Sequence, residues 1–167
     1  GAGAAAWCEQ IHGRDSLSAA AGGCAGSADA LVTVVPSLAL IARSADCPII
    51  LLADPVGGAV GIAHASWRGT VGRIASELLL KLSGQYGTNP TNCIACIAPS
   101  AGPCCYEVGT DVVDAAVGGI GRHAERFFIQ RDGKTFFDLW AANVDELMTL
   151  NVPRKQIHVA AVCTICS

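Results

Sequence analysis

Three apolar runs, residues 38–42, 49–53 and 59–63, follow one another with only short polar or Gly/Pro punctuation between them. Runs of this length that are apolar at successive positions, rather than alternate ones, read as strands buried on both faces. Such strands demand a sheet covered by helices or by a second sheet, and no other feature of the chain restricts its fold as much. Between the second and third runs, Asp54-Pro55-Val56-Gly57-Gly58 supplies the residues that a tight turn needs, which predicts a hairpin. The hairpin returns the end of Ser44-Ala45-Asp46-Cys47 to the same sheet edge as the start of His64-Ala65-Ser66-Trp67-Arg68-Gly69. A thiol and an imidazole, Cys47 and His64, are thereby expected to face each other.

Strand and helix patterns alternate on either side. Residues 7–13 read as a short strand closing at Gly13, with His12 at its mouth, and 16–27, rich in Ala, Gly and Ser, as a loop. Residues 29–35 are β-branched and apolar up to Pro36 and read as a strand. Val71, Ile74, Ala75, Leu78, Leu79 and Leu82 recur at helical spacing and predict one helix over 69–83. A buried strand is expected at 93–98, a turn at 99–103, a further element over 104–109, and a helix over 110–117 stopped by Gly118-Gly119. Residues 121–126 read as a polar connection and 134–137 as a strand. A helix capped by Asp138 follows through Asn151, then a final apolar strand over 156–164. Hairpins mixed with helices favour the α+β class, a layered sandwich of mixed β-sheets flanked by helices, over a doubly wound sheet. The 167 residues suit one domain, without internal repeats, and only the first six, all Gly or Ala, are of low complexity.

Several function classes fall away. A net charge of −3 with no basic cluster is the wrong electrostatics for a nucleic-acid partner. The apolar region 38–65 is interrupted by Arg43, Asp46 and Asp54, so it does not read as a membrane span. The nine cysteines are odd in number and several lie in apolar runs, which points to free thiols rather than a disulfide framework. With no signal-peptide pattern in the first residues, a cytoplasmic protein is expected, as a monomer or small homo-oligomer. No Gly-x-Gly-x-x-Gly precedes a helix and no Gly-Lys-Ser/Thr follows Gly57-Gly58, so phosphate loops are absent from the motif set.

Cys47 and His64 suit two kinds of chemistry, a nucleophile with its base or two ligands for a divalent metal. Taken alone, a Cys and a His in an apolar region most often serve packing. The surrounding motifs say more. Gln10-Ile11-His12-Gly13, Ala45-Asp46-Cys47-Pro48, His64-Ala65-Ser66-Trp67-Arg68-Gly69 and Gly102-Pro103-Cys104-Cys105-Tyr106-Glu107-Val108-Gly109 occur in that order. Together with Asp29-Ala30-Leu31-Val32-Thr33, Asp138-Leu139, Asn143 and Cys163-Thr164, they resemble the laccase-domain family, also called multicopper polyphenol oxidase or purine nucleoside phosphorylase type.

That resemblance implies a cytotoxic-necrotizing-factor/YfiH-like fold and one zinc ion on His12, Cys47 and His64. Three protein ligands leave a fourth tetrahedral position open, as in catalytic zinc sites, where a bound water is acidified to about pKa 7. It implies phosphorolysis of adenosine, inosine or guanosine to free base and ribose 1-phosphate, with adenosine deaminase activity; the partners are a purine nucleoside and phosphate. Trp67 is then expected to contact substrate, Arg68 to bind phosphate or a developing negative charge, and Asp46 to handle a proton or orient a ligand. The sequence departs from the family pattern at Ser66, where Gly is usual, and at Ala98-Pro99-Ser100-Ala101 in place of Gly-Pro-x-Ile. Segments that flank the family's site at both ends are also expected to be missing.

Copper is a second ion such a site accepts, since it outcompetes zinc at most nitrogen and sulfur donors, but four histidines are too few for a four-copper laccase. Three rivals stand beside the zinc enzyme: a metal-free Cys47–His64 hydrolase or deamidase, a copper-binding polyphenol oxidase-like protein, and a non-enzymatic metal-binding interaction domain. Cys93/Cys96 and Cys163/Cys166 have zinc-ribbon spacing, but a zinc ribbon is not the expected reading. Cys93 and Cys96, however, are expected on opposite faces of a strand, and the adjacent Cys104-Cys105 look poorly placed to chelate one ion together. His123 reads as solvated, His158 as structural, and Met148 as core packing.

Overall fold

The computed structural model describes residues 3–167. Residues 1 and 2 of the Gly/Ala opening lie outside them, and Ala4–Ala6 belong to the first strand. In chain order the strands are β1 (Ala4–Glu9), β2 (Ser16–Ser18), β3 (Gly23–Ser27), β4 (Ala30–Thr33), β5 (Leu38–Ile41), β6 (Ile49–Asp54) and β7 (Ala59–His64). They continue with β8 (Ile94–Ile97), β9 (Glu107–Val108), β10 (Phe128–Arg131), β11 (Lys134–Phe137) and β12 (Ile157–Val159). The helices are α1 (Trp67–Val71), α2 (Ile74–Tyr86), α3 (Thr110–Ile120) and α4 (Leu139–Thr149).

The expected hairpin is the centre of the molecule. β6 and β7 pair antiparallel from Ile49 opposite His64 to Asp54 opposite Ala59. Asp54 closes the turn by accepting the N–H groups of Val56 and Gly57, both at 3.0 Å. Around the hairpin grows a six-stranded mixed sheet of order β12-β8-β6-β7-β4-β2. A small parallel sheet, β3-β1-β5, and an antiparallel one, β10-β11-β9, complete the α+β sandwich.

Alternation along β4 shows how the layers divide. Ala30 and Val32 point into the core shared with α2 and α4, where Ile50, Leu52, Leu78, Leu82 and Leu147 are buried. Leu31 points the other way, onto Ala6, Cys8 and Leu38 of the small parallel sheet. Each large side chain buried this way contributes about 1.5–3 kcal/mol. Gly61 of β7 lets α2 settle on the sheet, because a Cβ there would lie 2.8 Å from Leu78 Cδ1. The second face is covered only in part: Leu51, Val60 and Ile94 remain about two-fifths exposed, so the expectation of burial on both faces holds along most of β7 and fails for β5 and β6, while β4 is buried at every position.

Other expectations need correction. The loop over 16–27 contains β2 and β3, parallel partners of β4 and β1, whose Ala/Gly/Ser composition carries no apolar period. The helix over 69–83 is two helices. Arg73 adopts a left-handed φ of 66°, and the Gly72 carbonyl accepts Arg14 Nη1 at 3.0 Å. Val71 packs into the cluster of α3 and α4 while Ile74 to Leu82 pack into the central core, so apolar residues continue across the break and leave it unmarked in the sequence. Gly118-Gly119 does not stop α3; Gly119 instead makes room for α1, since a Cβ there would lie 2.6 Å from the Val71 carbonyl oxygen. The last strand ends at Val159 rather than 164, and Arg122–Phe127 is a 3₁₀ segment. Met148 is exposed rather than part of the core, His158 lies exposed within β12, and His123 is half exposed as expected. Asp138 caps α4 by accepting the Ala141 N–H at 2.9 Å. Among the described residues, no helix is long and apolar enough to cross a membrane.

α2 has no cap from its own N-cap side chain; α4 supplies one, Glu146 Oε1 accepting the Ser76 N–H at 2.8 Å. Burial nevertheless pushes the Glu146 carboxyl up to about 7. The folded chain keeps this proton where an unfolded glutamate, with its ordinary value of 4.5, has lost it. Stability therefore falls as pH rises from about 4.5 to 7 and stays at its lower value above that window. Glu146→Gln is expected to flatten that slope and to add about 1–3 kcal/mol at pH 8, measured by urea unfolding across the pH range.

Candidate metal centre

Two loops and the end of β7, at one end of the central sheet, carry the donors. His64 is the last residue of β7, opposite Ile49, so the hairpin fixes its place beside the segment that enters β6. Cys47 precedes that strand; its carbonyl accepts Ser44 Oγ at 2.7 Å, and the next carbonyl, of Pro48, accepts the Ala65 N–H at 2.8 Å. His12 lies in the bend after β1 with a left-handed φ of 58°. The donor atoms of His12, Cys47 and His64 all lie within 4.8 Å of one another. The two imidazoles meet edge to face at 4.8 Å.

Asp29 assembles this arrangement. Its carboxylate, 3% exposed at the start of β4, accepts the backbone N–H groups of Ile11 (3.1 Å), His12 (3.1 Å) and Gly13 (2.7 Å). It also lies 2.9 Å from His64 Nδ1. A carboxylate can only accept, so Nδ1 carries the proton and Nε2 presents its lone pair to the cleft, the orientation that metal-binding histidines require. The sequence motif around Asp29 does not by itself give it this role. An acidic residue heading a β-branched run was the available signal.

The donors line an open cleft of about 540 Å³ with Gln10, Arg43 and Asp46. Gln10 acts as an extra ladder rung, its amide accepting the Arg43 N–H at 2.8 Å and donating to the Arg43 carbonyl at 2.7 Å. Asp46 is exposed beside Cys47 and is tethered from behind, Thr164 Oγ1 donating to its carboxylate at 2.7 Å. Burial, then the charges of Asp46 and Asp29, push the Cys47 thiol up. Trp67 and Arg68 do not line this cleft. Trp67 is half-buried against the core of α3 and α4, with the Arg68 guanidinium 4.4 Å over its ring. Tyr106 connects them to the centre: burial, then the Cys47 charge, raise its phenol to about 12, while Arg68 draws it down.

Two further residues set the approach of α1. Ser66, the departure from the family pattern, caps this helix by accepting the Gly69 N–H at 3.1 Å. Gly69 faces the His12 bend, where a Cβ would lie 2.9 Å from the Gly13 carbonyl oxygen. An N,S,N donor set with one histidine oriented by a buried carboxylate and one side open to solvent fits a four-coordinate ion such as zinc.

Comparison with known proteins identifies the family. A family model described as multi-copper polyphenol oxidoreductase laccase matches residues 1–167. The chain is 37% identical over 138 residues to a purine nucleoside phosphorylase of Bacteroides thetaiotaomicron, covering 81% of this chain and 51% of that protein. It is 35% identical over 146 residues to adenosine deaminase RL5 of an unknown prokaryotic organism, covering 83% of this chain and 53% of that one. The crystal structure of the Bacillus licheniformis hypothetical protein YfiH superposes with a TM-score of 0.86 at 29% identity, over 97% of this chain and 65% of that one. The chain thus spans about half the length of these two named relatives.

Asp29→Asn turns one acceptor oxygen into a donor that faces backbone N–H groups or His64. Zinc affinity, measured by competition with a chromophoric chelator, is expected to fall about 10–100-fold. Gly69→Ala must displace backbone rather than a flexible side chain, and a loss of similar size is expected in the same measurement.

Proposed function

Because this chain belongs to the multi-copper polyphenol oxidoreductase laccase family, matched over residues 1–167, we propose that it is a zinc-dependent purine nucleoside enzyme that carries out phosphorolysis and adenosine deamination. The observation that carries this reading is the convergence of His12, Cys47 and His64 within 4.8 Å on an open cleft, with His64 oriented by Asp29. The names of the relatives, purine nucleoside phosphorylase and adenosine deaminase, supply the substrate class.

The residues divide the work as follows. His12, Cys47 and His64 hold zinc, which when bound supplies Lewis acidity next to the cleft. In phosphorolysis a phosphate oxygen bonds to C1′ of the ribose as the C1′–N9 bond breaks, and the purine leaves with the bond's electron pair and takes up a proton. Asp46, tethered by Thr164 at the cleft wall, is the group placed to move that proton. Arg68, held on Trp67 and sharing Tyr106 with Cys47, is the guanidinium assigned to phosphate, for which a planar fork of donors is suited. Trp67, outside the cleft lining, braces that guanidinium with its ring face.

The Asp29–His64–Cys47 alignment also resembles a cysteine hydrolase triad, which keeps a metal-free thiolate nucleophile as the second reading. The electrostatics oppose it. An activated thiolate needs a lowered pKa, whereas burial and two carboxylates raise that of Cys47; a divalent cation supplies the positive charge that the thiolate lacks.

Zinc-replete protein incubated with adenosine, inosine and guanosine is expected to release free base only when phosphate is present, and to convert adenosine to inosine without it. Absence of both products on chromatography would sink the proposal. His12→Ala separates the two readings. It is expected to lose bound zinc and about 100-fold or more of turnover, whereas a Cys47–His64 dyad keeps most of its rate.

A further inference from the structure

Four more thiols meet away from this centre. Cys104, Cys105, Cys163 and Cys166 bring their sulfur atoms within 4.8 Å of one another, although 62 positions separate Cys104 from Cys166. This overturns the expectation that the adjacent Cys104-Cys105 are poorly placed to chelate. It leaves intact the dismissal of Cys93/Cys96, where Cys93 is buried and Cys96 exposed on the strand.

The local backbone explains the convergence. Gly102 opens a tight turn, its carbonyl accepting the N–H groups of Cys105 (3.0 Å) and Tyr106 (2.9 Å), and this turn presents two consecutive thiols. Cys163-Thr164-Ile165-Cys166 forms a second turn, joined to the first where Ser100 bridges to Cys163 in parallel register. Cys163 Sγ accepts the Gly102 N–H at 3.3 Å, which ties the second turn to the backbone of the first. An N–H donated to a sulfur favours the thiolate form that binds metal.

We propose that Cys104, Cys105, Cys163 and Cys166 form a second metal site, a structural zinc tetrathiolate that clamps the 102–106 turn to the 163–166 turn. Four thiolates around zinc at about 2.3 Å place neighbouring sulfurs about 3.8 Å apart. Cys104 and Cys166 already stand 3.6 Å apart, too far for a disulfide and at the spacing of two ligands of one ion. Cys104 and Cys166 are exposed, Cys105 is half-buried and Cys163 buried, so an ion has a path in and a closed floor. A complete protein ligand set leaves no open position, which makes this site structural where the His12 centre is open.

The clamp bears on the cleft wall. The two segments it joins also hold Asp46, Ala101 donating its N–H to the Asp46 carbonyl and Thr164 its hydroxyl to the Asp46 carboxylate, both at 2.7 Å. The proposal is independent of the nucleoside activity, and its test reads metal rather than turnover.

Protein purified anaerobically with zinc and a reductant, then dialysed against metal-free buffer, is expected to hold two zinc equivalents per chain by elemental analysis. Cys104→Ser/Cys166→Ser should hold one, and so should His12→Ala/His64→Ala. In the histidine variant, cobalt(II) replacing zinc should give the sulfur charge-transfer and tetrahedral absorption of a tetrathiolate. That variant keeps the test decisive if the cysteine variant fails to fold. The proposal is overturned if the histidine variant carries no zinc, if its cobalt spectrum lacks thiolate bands, or if peptide mapping finds these four cysteines joined as disulfides under the reducing conditions.

Discussion

The Asp29 carboxylate receives three backbone N–H groups from the bend at 11–13 and faces the His64 imidazole. A buried ion is costly unless its acceptor positions are filled, so this one anion dictates the shape of everything that fills them. It wraps the exit of β1 around the entry of β4, draws the end of β7 to both, and fixes the bend in which His12 takes a left-handed φ of 58°, uncommon for a non-glycine residue. Gly69 then lets α1 close on the same bend. Of the three candidate donors, His12 and Cys47 are carried by loops and His64 by the end of β7, and a buried charge together with strand pairing fixes them.

The central hairpin brings two donors together, whereas the third and the whole cysteine cluster depend on longer connections. His12 reaches the site because the small parallel sheet packs on Leu31 and Ile62 across the main sheet. The cysteine turns reach each other because β12 adds in parallel beside β8 at the sheet edge, and the chain beyond it keeps running alongside Ser100. Asp46 stands between the two centres, part of the wall of one and tied by its carboxylate to the Thr164 hydroxyl beside the other. The two clusters divide their chemistry by exposure and ligand type: imidazoles and one thiol face a cleft, while four thiols close on themselves.

Much of this was legible in the sequence, and the reasons are local. Apolar runs bounded by Pro and Gly fixed β4 to β7, because burial on a sheet face leaves its mark on consecutive residues. Asp138 announced α4 because capping is a contact between near neighbours. The elements that escaped were those held by backbone alone, such as β2 and β3 in a stretch of Ala, Gly and Ser, or those redirected from a distance, such as the break at Gly72-Arg73, where Arg14 takes a helix carbonyl. Gly118-Gly119 misled because glycine permits close approach as readily as it ends a helix.

By itself the sequence determined the donor types, the hairpin that pairs Cys47 with His64, and the motif order that marks the family, since each depends on residues close together in the chain or on their identity alone. Only the tertiary structure decided that Asp29 orients His64, that Trp67 and Arg68 stand outside the cleft lining, and that Cys104, Cys105, Cys163 and Cys166 share one place. Those facts depend on how distant strands are ordered within the sheets, and side-chain spacing along the chain carries no record of that order.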